Sequence, residues 1–386
     1  MHTVIEREKL VEAVKVATLI DTGGFDFTPD HYIAVVRNGD LLHLHFRDNN
    51  HYARVSVEPS PGVSDWADHQ GVCLPKKEVF RFLKASNGAT VKITVTGDIA
   101  TLECGRSRMK AKTIELDAFP FPSSEKIKGS LRLTATALRN ALALCSVCID
   151  DKGMTSVVGV SMETDPEDGT VHVLSTNGRA MAHSTVPVLG NTAQSENVSI
   201  AMTTATTLVK FLSEMDDQEI SLEIGEQGLT ITGTHALWTF RSSLLADKKD
   251  IPWRRMLETS STMLCRLLNL DDFGLAIDAA TAISDDKHSV VALSVGDDGV
   301  MMEFTNEIGV SRGAAEAEVF SEYAIYVPID AINAFNNFCK KYGNGLPRIH
   351  IINSSKNNPM KLECYKEEQQ SAGHNPTLIV SPYVNN

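Results

Sequence analysis

No apolar stretch in the chain approaches the ~18 residues that a membrane-spanning helix needs. The opening decapeptide, MHTVIEREKL, carries charges where a secretory signal would carry its apolar segment, so the expectation is an intracellular, cytoplasmic protein with no membrane partner. Cysteine is sparse: there are seven, an odd number, scattered without framework spacing, which argues against a disulfide scaffold and for reduced thiols. No low-complexity tract interrupts the chain. It has neither a G-x-x-x-x-G-K-[ST] phosphate loop nor a G-x-S-x-G nucleophile elbow, so two common routes to enzymatic chemistry are missing. Positive charge is also short, with 36 Lys and Arg against 49 Asp and Glu and a net charge of −13. Nucleic-acid binders are usually basic. An acidic exterior with basic residues gathered on one surface gives the same negative total.

What the chain does have is length and internal repetition. Its 386 residues exceed one ordinary domain, and 42% hydrophobic and 22% charged content is ordinary for a soluble globular protein. Three segments share one pattern of alternating strand, polar turn with Asn, and second strand: LLHLHFRDNNHYARVSV, VHVLSTNGRAMAHSTVP and MMEFTNEIGVSRGA. Asn49, Asn177 and Asn306 stand 128 and 129 residues apart. In the second copy, Asn-Gly between alternating runs is a strong hairpin signal, with Asn177 and Gly178 expected as the tight turn. A second series pairs a strand end with an amphipathic helix beginning near Pro75, Thr203 and Pro328. Its apolar face is Val79, Phe82 and Leu83, then Leu208, Phe211 and Leu212, then Ile332, Phe335 and Phe338. A third series, REKLVEAVKVATLID, TATALRNALALCSVCIDD and LDDFGLAIDAATAISDD, opens each unit with a helical pattern. Pro, Ser and charge mix at residues 120–129 and 246–261, as at linkers.

The spacing predicts three domains, 1–124, 125–252 and 253–386. Each is built of two half-units of helix followed by strands, an α+β class with antiparallel sheets and helices packed on one side. Three such domains in line form an arc whose complementary ends two copies can close into a ring. Two other clusters read as structure. Cys145-Ser146-Val147-Cys148 falls late in a helical pattern, where a redox or zinc site does not belong, so buried core cysteine is expected. His43 and His45 share one strand face without a third ligand, and an exposed strand face is expected there.

At this point the sequence resembles the bacterial DNA polymerase III β subunit, the sliding-clamp family, as a diverged member over nearly the whole chain. GRSRMKAKTIELDAFPFP (105–122) resembles the family's Gly-Arg-Ser-Arg segment and acidic-x-Phe-Pro close of the first domain. LSTNGRAMA resembles its Thr-Asp-Gly-His-Arg-Leu turn, IPWRRML (251–257) its Phe-Pro-x-x-Arg-Arg-Val-Leu segment, and LIVSPYVNN (378–386) its Val-Met-Pro-Met tail. The resemblance implies a head-to-tail homodimeric ring of six similar domains that encircles double-stranded DNA without reading sequence. It implies a tether for the replicative DNA polymerase, loaded by a separate clamp loader. It implies no catalytic residue, no metal and no cofactor.

A ring that slides needs salt-screened phosphate contacts rather than base contacts. Basic residues on the solvent faces of the repeated helices would provide them: Lys9, Lys15, Lys77, Arg81, Lys84, Arg139, Lys210, Lys340 and Lys341. Lys77, Arg81 and Lys84 share one face. The helix LDDFGLAIDAATAISDD has no basic residue, and DTGGFDFTPD, which matches a DNA-contacting loop of the family, is acidic. Thr155 and Ser156 stand where the family has paired tyrosines.

The resemblance also implies a cleft for partner peptides with Gln and apolar anchors. Carried over by position, its lining is Val157, Thr176, Gly178, Arg179, Ala180 and Met181, then Pro252, Arg255 and Met256, then Val380, Ser381, Pro382 and Tyr383. Arg179-Ala180 replaces the family's His-Arg, and Ser381 and Tyr383 replace two methionines, so a different preferred peptide is expected. Two alternatives remain: a clamp-like interaction protein without DNA tethering, and a metal-dependent α+β nuclease using the acidic turns. The repeat speaks against the nuclease, because active sites are not usually triplicated.

Overall fold

The computed structural model describes residues 1–20, 31–61, 64–148, 159–190, 197–215, 217–245, 253–284, 290–342, 345–353, 358–365 and 375–382. The repetition in the sequence is a repetition of elements. Strand, helix, four strands, helix, three strands occurs first as β1 (His2–Glu6), α1 (Arg7–Leu19), β2 (Tyr32–Asn38), β3 (Leu41–Arg47), β4 (His51–Val57), β5 (Gly71–Pro75), α2 (Lys76–Ala85), β6 (Thr90–Thr96), β7 (Ile99–Cys104) and β8 (Ser107–Lys112). It returns as β9 (Ile127–Thr134), α3 (Ala135–Cys145), β10 (Gly159–Asp165), β11 (Thr170–Thr176), β12 (Ala180–Pro187), β13 (Asn197–Ala201), α4 (Met202–Ser213), β14 (Glu219–Gly225), β15 (Gly228–Gly233) and β16 (Trp238–Ser243). The third passage adds a short helix, α5 (Trp253–Glu258), before β17 (Ser261–Leu267), α6 (Leu270–Ala280), β18 (Val290–Gly296), β19 (Gly299–Thr305) and β20 (Val310–Ala315). It then adds a short strand, β21 (Ala317–Val319), before β22 (Tyr323–Pro328), α7 (Ile329–Lys341), β23 (Leu346–Ile352), β24 (Met360–Tyr365) and β25 (Thr377–Val380).

The chain forms two compact units, Met1–Ala135 with Lys210–Leu244, and Thr136–Val209 with Leu245–Asn386. The first holds an eight-stranded sheet, β5-β2-β3-β4-β16-β15-β14-β9, and a four-stranded sheet, β1-β6-β7-β8. The second holds a nine-stranded sheet, β13-β10-β11-β12-β25-β24-β23-β17-β21, and a four-stranded sheet, β20-β19-β18-β22. Every pairing within these sheets is antiparallel, so the α+β class stands. The middle repeat is divided between the units: β9, β14, β15 and β16 lie in the first large sheet, and β10 to β13 in the second.

The amphipathic faces read from the sequence point inward. Val79 and Leu83 of α2 are buried and Phe82 is half-buried, while Lys77, Arg81 and Lys84 are exposed. Leu208, Phe211 and Leu212 of α4, and Ile332, Phe335 and Phe338 of α7, are buried as well. The helix starts differ in one detail. Pro75 and Pro328 end strands and cap their helices with extended backbone, where a missing N–H is harmless, and Thr203 is the second residue of α4.

His43 and His45 correct the sequence reading: both are buried, not on an exposed face. Tyr52 meets His45 through its hydroxyl at 2.6 Å from Nδ1, and the Phe121 ring packs edge-on at 5.0 Å. Burial, then His43 and Arg54 nearby, depresses the His45 pKa to about 3. Strand alternation alone cannot tell which residues a later segment covers, and Phe119 and Phe121 come from a segment far along the chain. Cys145 and Cys148 are buried at the end of α3, with Ser175 Oγ donating to the Cys145 carbonyl at 2.6 Å. Burial raises both thiol pKa values, Cys148 to about 12, so neither is a ready thiolate.

Candidate partner cleft and DNA-facing helices

The β11–β12 hairpin is built around one side chain. The Asn177 N–H donates to the Ala180 carbonyl at 3.2 Å, and its Oδ1 accepts the Arg179 and Ala180 N–H groups at 3.0 and 2.7 Å. Thr176 Oγ1 donates to the Ala180 carbonyl at 2.8 Å and accepts the Gly178 N–H at 3.1 Å. The central pair is therefore Gly178-Arg179, one place beyond the expected Asn177-Gly178, and Gly178 supplies the positive φ of 81°. Asn177 sits at the corner because a short side-chain acceptor there caps the turn.

The same bonds recur in the other repeats. The Asn306 N–H donates to the Gly309 carbonyl at 3.0 Å, and its Oδ1 accepts Ile308 and Gly309 N–H at 2.9 and 3.1 Å. The Asp48 N–H donates to the His51 carbonyl at 3.0 Å, and its Oδ1 accepts Asn50 and His51 N–H at 2.8 and 2.6 Å. Asp48, not Asn49, is thus the counterpart of Asn177, and the three turns are spaced by 129 residues each. Carboxylate and carboxamide offer the same acceptor oxygen, so matching by residue identity selected the neighbouring Asn.

The second compact unit brings most of the expected cleft residues together. β12 pairs with β25, placing Ala180 opposite Val380 and Met181 opposite Ile379. Beyond the strand the Ser381 N–H donates to the Arg179 carbonyl at 2.8 Å. Met181 is buried with Leu174, Trp253, Ile352 and Ile379, and Met256 and Leu257 of α5 pack over that cluster half-buried. Ala180, Met181 and Val380 are buried, while Gly178, Arg179, Arg255 and Ser381 are exposed and Thr176 and Pro382 half-buried. Val157, Pro252 and Tyr383 lie outside the described residues, as do Thr155, Ser156 and the 21–30 segment.

Trp253 is the residue the sequence reading passed over, although it stands inside IPWRRML and is one of three tryptophans. Its ring stacks on His183 at 5.0 Å and tilts against His172 at 4.4 Å, and its Nε1 donates to Glu163 Oε2 at 3.0 Å. Arg254 lies over the same ring at 4.3 Å and pairs with Glu163 at 2.6 Å. These contacts fasten a six-residue helix, too short to be stable alone, to β10–β12. Asp165, Asp168 and His172 bring ligand atoms within 4.8 Å of one another. Arg254 pairs with Asp165 there at 3.8 Å, and backbone N–H groups of Glu167 and Asp168 also bond to it, so the group reads as an ion-paired turn.

Of the nine basic candidates, Lys9, Lys15, Lys77, Arg81, Lys84, Lys210, Lys340 and Lys341 are exposed and Arg139 is half-buried. Carboxylates engage Lys9, with Glu6 and Glu58 at 3.4 and 3.8 Å, Lys15, with Glu214 at 2.5 Å, and Lys340, with Asp271 at 2.9 Å. Arg139 and Lys341 both lie near the Tyr342 ring, at 5.7 and 5.1 Å. α1 packs against α2 in the first unit and α6 against α7 in the second. α6 is acidic at its start, where Asn269 caps Asp271 and Asp272, and its partner α7 brings Lys340 to Asp271.

Thrice-repeated helix-and-strand units with shared sheets define a class: the fold is that of the DNA polymerase III β subunit sliding clamps. The Pseudomonas aeruginosa DnaN sliding clamp bound to griselimycin matches with a TM-score of 0.84 at 17% identity, over 100% of both chains. The Bacillus subtilis DNA polymerase sliding clamp matches with a TM-score of 0.83 at 16% identity, also over 100% of both chains. The Helicobacter pylori β clamp bound to a DNA ligase peptide matches with a TM-score of 0.79 at 13% identity, over 100% of both chains. No family model matches the chain, and no curated protein matches it in sequence. No helix among the described residues is long and apolar enough to cross a membrane.

Proposed function

We propose that this protein is a DNA sliding clamp: a cytoplasmic homodimeric ring, without enzymatic activity, that encircles duplex DNA and tethers a replicative polymerase. The observation that carries this reading is the repeat and what it leaves unpaired. The third strand after the first helix of a repeat pairs with the last strand of the next repeat, as β4 with β16 and β12 with β25. The counterparts left over are β20 and β8, each an edge strand of a four-stranded sheet. Pairing β20 of one copy with β8 of a second copy repeats the same junction and closes six domains, 1–124, 125–252 and 253–386 from each copy, head to tail. Val310 and Ile308, at and beside β20, are 55% and 73% exposed, an apolar edge that such a junction would cover.

Polymerase and clamp loader dock, in this reading, where α5 and the β11–β12 turn meet the end of β25. The H. pylori clamp, solved with a DNA ligase peptide, supports a peptide-binding role for this fold. Thr176, Gly178, Arg179, Arg255, Met256, Ser381 and Pro382 form the contact surface over the Met181–Val380 floor; the sequence resemblance adds Val157, Pro252 and Tyr383, which lie outside the described residues. Met256 and Leu257, packed over that floor, offer apolar contact to a peptide's apolar anchors. DNA is held by exposed basic residues of the repeated helices, Lys77, Arg81, Lys84 and Lys210 among them, through phosphates alone.

The test is native mass together with topology-dependent DNA retention. A dimer that stays on nicked circular DNA and slips off on linearisation is expected. A monomer at micromolar concentration, or retention indifferent to linearisation, would overturn the reading.

A further inference from the structure

The first compact unit contains the same junction with different chemistry. Ser242 stands opposite His51 as Val380 stands opposite Ala180, and Arg241 opposite Tyr52 as Ile379 opposite Met181. The Ser243 N–H donates to the Asn50 carbonyl at 3.4 Å, as Ser381 does to Arg179. Between the Asp48 turn, the Phe121–Ser123 segment and the end of β16 lies a cavity of about 400 Å3, within the range of ligand-binding sites.

The walls of this cavity are built and held. Arg241 donates to the Ser123 carbonyl at 2.6 Å and pairs with Glu125 at 2.8 Å, which leaves N–H groups of its guanidinium beyond these bonds. Glu125 fits there only because Gly225 and Gly228 lack side chains: a Cβ on either would collide with its carboxylate. Arg47, bonded to the Pro120 carbonyl at 2.6 Å, also lines the cavity. The Asp48 carboxylate does not offset these cations freely, because Asn50 N–H, His51 N–H and His51 Nδ1 all engage it. Phe121, 41% exposed, adds an apolar ring beside the guanidinium groups.

We propose that this cavity is a second peptide-docking cleft, specific for a partner segment that places an Asp or Glu carboxylate beside an aromatic or branched apolar residue. The carboxylate meets Arg241 and Arg47, and the apolar residue lies against Phe121. A peptide fits better than a free anion because the cations and the exposed ring share one open site. The inference rests on the peptide-docking reading of the β12–β25 junction, whose design it repeats with charged in place of apolar anchors. A ring with both clefts would hold two kinds of partner at once.

The experiment pans a phage-displayed library of random heptapeptides against the full chain and measures the captured peptides, labelled, by fluorescence anisotropy. One class is expected to carry an acidic residue next to Phe, Leu or Ile. It should lose roughly tenfold or more in affinity with Arg241→Gln and with Asn49→Trp, and change by less than about twofold with Met256→Ala. Asn49 is exposed and its side chain caps nothing in the turn, so its variant keeps the test valid if Arg241→Gln fails to fold. The proposal is overturned if no acidic peptide is captured, if both variants leave the captured peptides unchanged, or if inorganic phosphate alone binds the site. Failure of the β12–β25 cleft is read separately, as captured peptides of which none responds to Met256→Ala.

Discussion

The carboxamide oxygen of Asn177 accepts the backbone N–H of Ala180 at 2.7 Å. Asp48 and Asn306 do the same for His51 and Gly309, at 2.6 and 3.1 Å. Replacing Asn177 or Asn306 by Ala removes two acceptor bonds and is expected to lower unfolding free energy by about 1–2 kcal/mol. Asn177→Asp keeps the acceptor and should cost less. Urea midpoints at constant m-value check both.

Acid should weaken the first unit before its carboxylates protonate. The folded His45 pKa is depressed to about 3, so below pH 6.5 the unfolded chain takes up a proton that the folded chain refuses. Stability is full above about pH 6.5 and falls toward acid by up to about 1.4 kcal/mol per unit. His45→Phe should flatten the slope between pH 6.5 and 5 in urea titrations. An unchanged slope would mean that His45 is not buried neutral.

Met256 covers the Met181 floor half-buried, so Met256→Ala should weaken a peptide with Gln and apolar anchors by roughly tenfold, about 1.4 kcal/mol. The thermal midpoint should barely move. Trp253→Ala, in contrast, removes a buried aromatic and should destabilise the second unit by about 3–5 kcal/mol. Anisotropy and calorimetry separate the two effects.

Lys77, Arg81 and Lys84 share the exposed face of α2. Replacing all three by Ala should weaken retention on nicked circles at low salt. It should also lessen the salt dependence, by up to about 0.9 in log–log slope for each phosphate that is no longer neutralised.

An aspartate pair at Ile308 and Val310 places charge on the exposed β20 edge. Dissociation to monomers at concentrations where the parent is dimeric is expected in analytical ultracentrifugation. The circular dichroism spectrum should stay unchanged, since neither side chain is buried.

Much of the fold was legible because it is written three times. A single alternating run is ambiguous, but helix faces such as Val79 with Leu83 and Leu208 with Leu212 recur at nearly one spacing, and each recurrence constrains the others. The candidate cleft rests mainly on resemblance. Composition did not separate Met181 as floor from Arg255 as surface, because exposure at that point depends on where α5 lies. His45 was misread for the same reason: Phe119 and Phe121 pack against it from far along the chain.

The sequence by itself determined the local terms: helix faces, strand alternation, the acceptor at each turn corner and the threefold period. These follow from backbone geometry and hydrophobic periodicity, which act over a few residues. Only the tertiary structure decided the partnerships across the repeat. It joined β16 to β4 and β25 to β12, divided the middle repeat between two large sheets, and packed Trp253 against His172 and His183. An edge strand carries the same unpaired N–H and C=O groups whichever strand meets it, so its partner is chosen by three-dimensional closure.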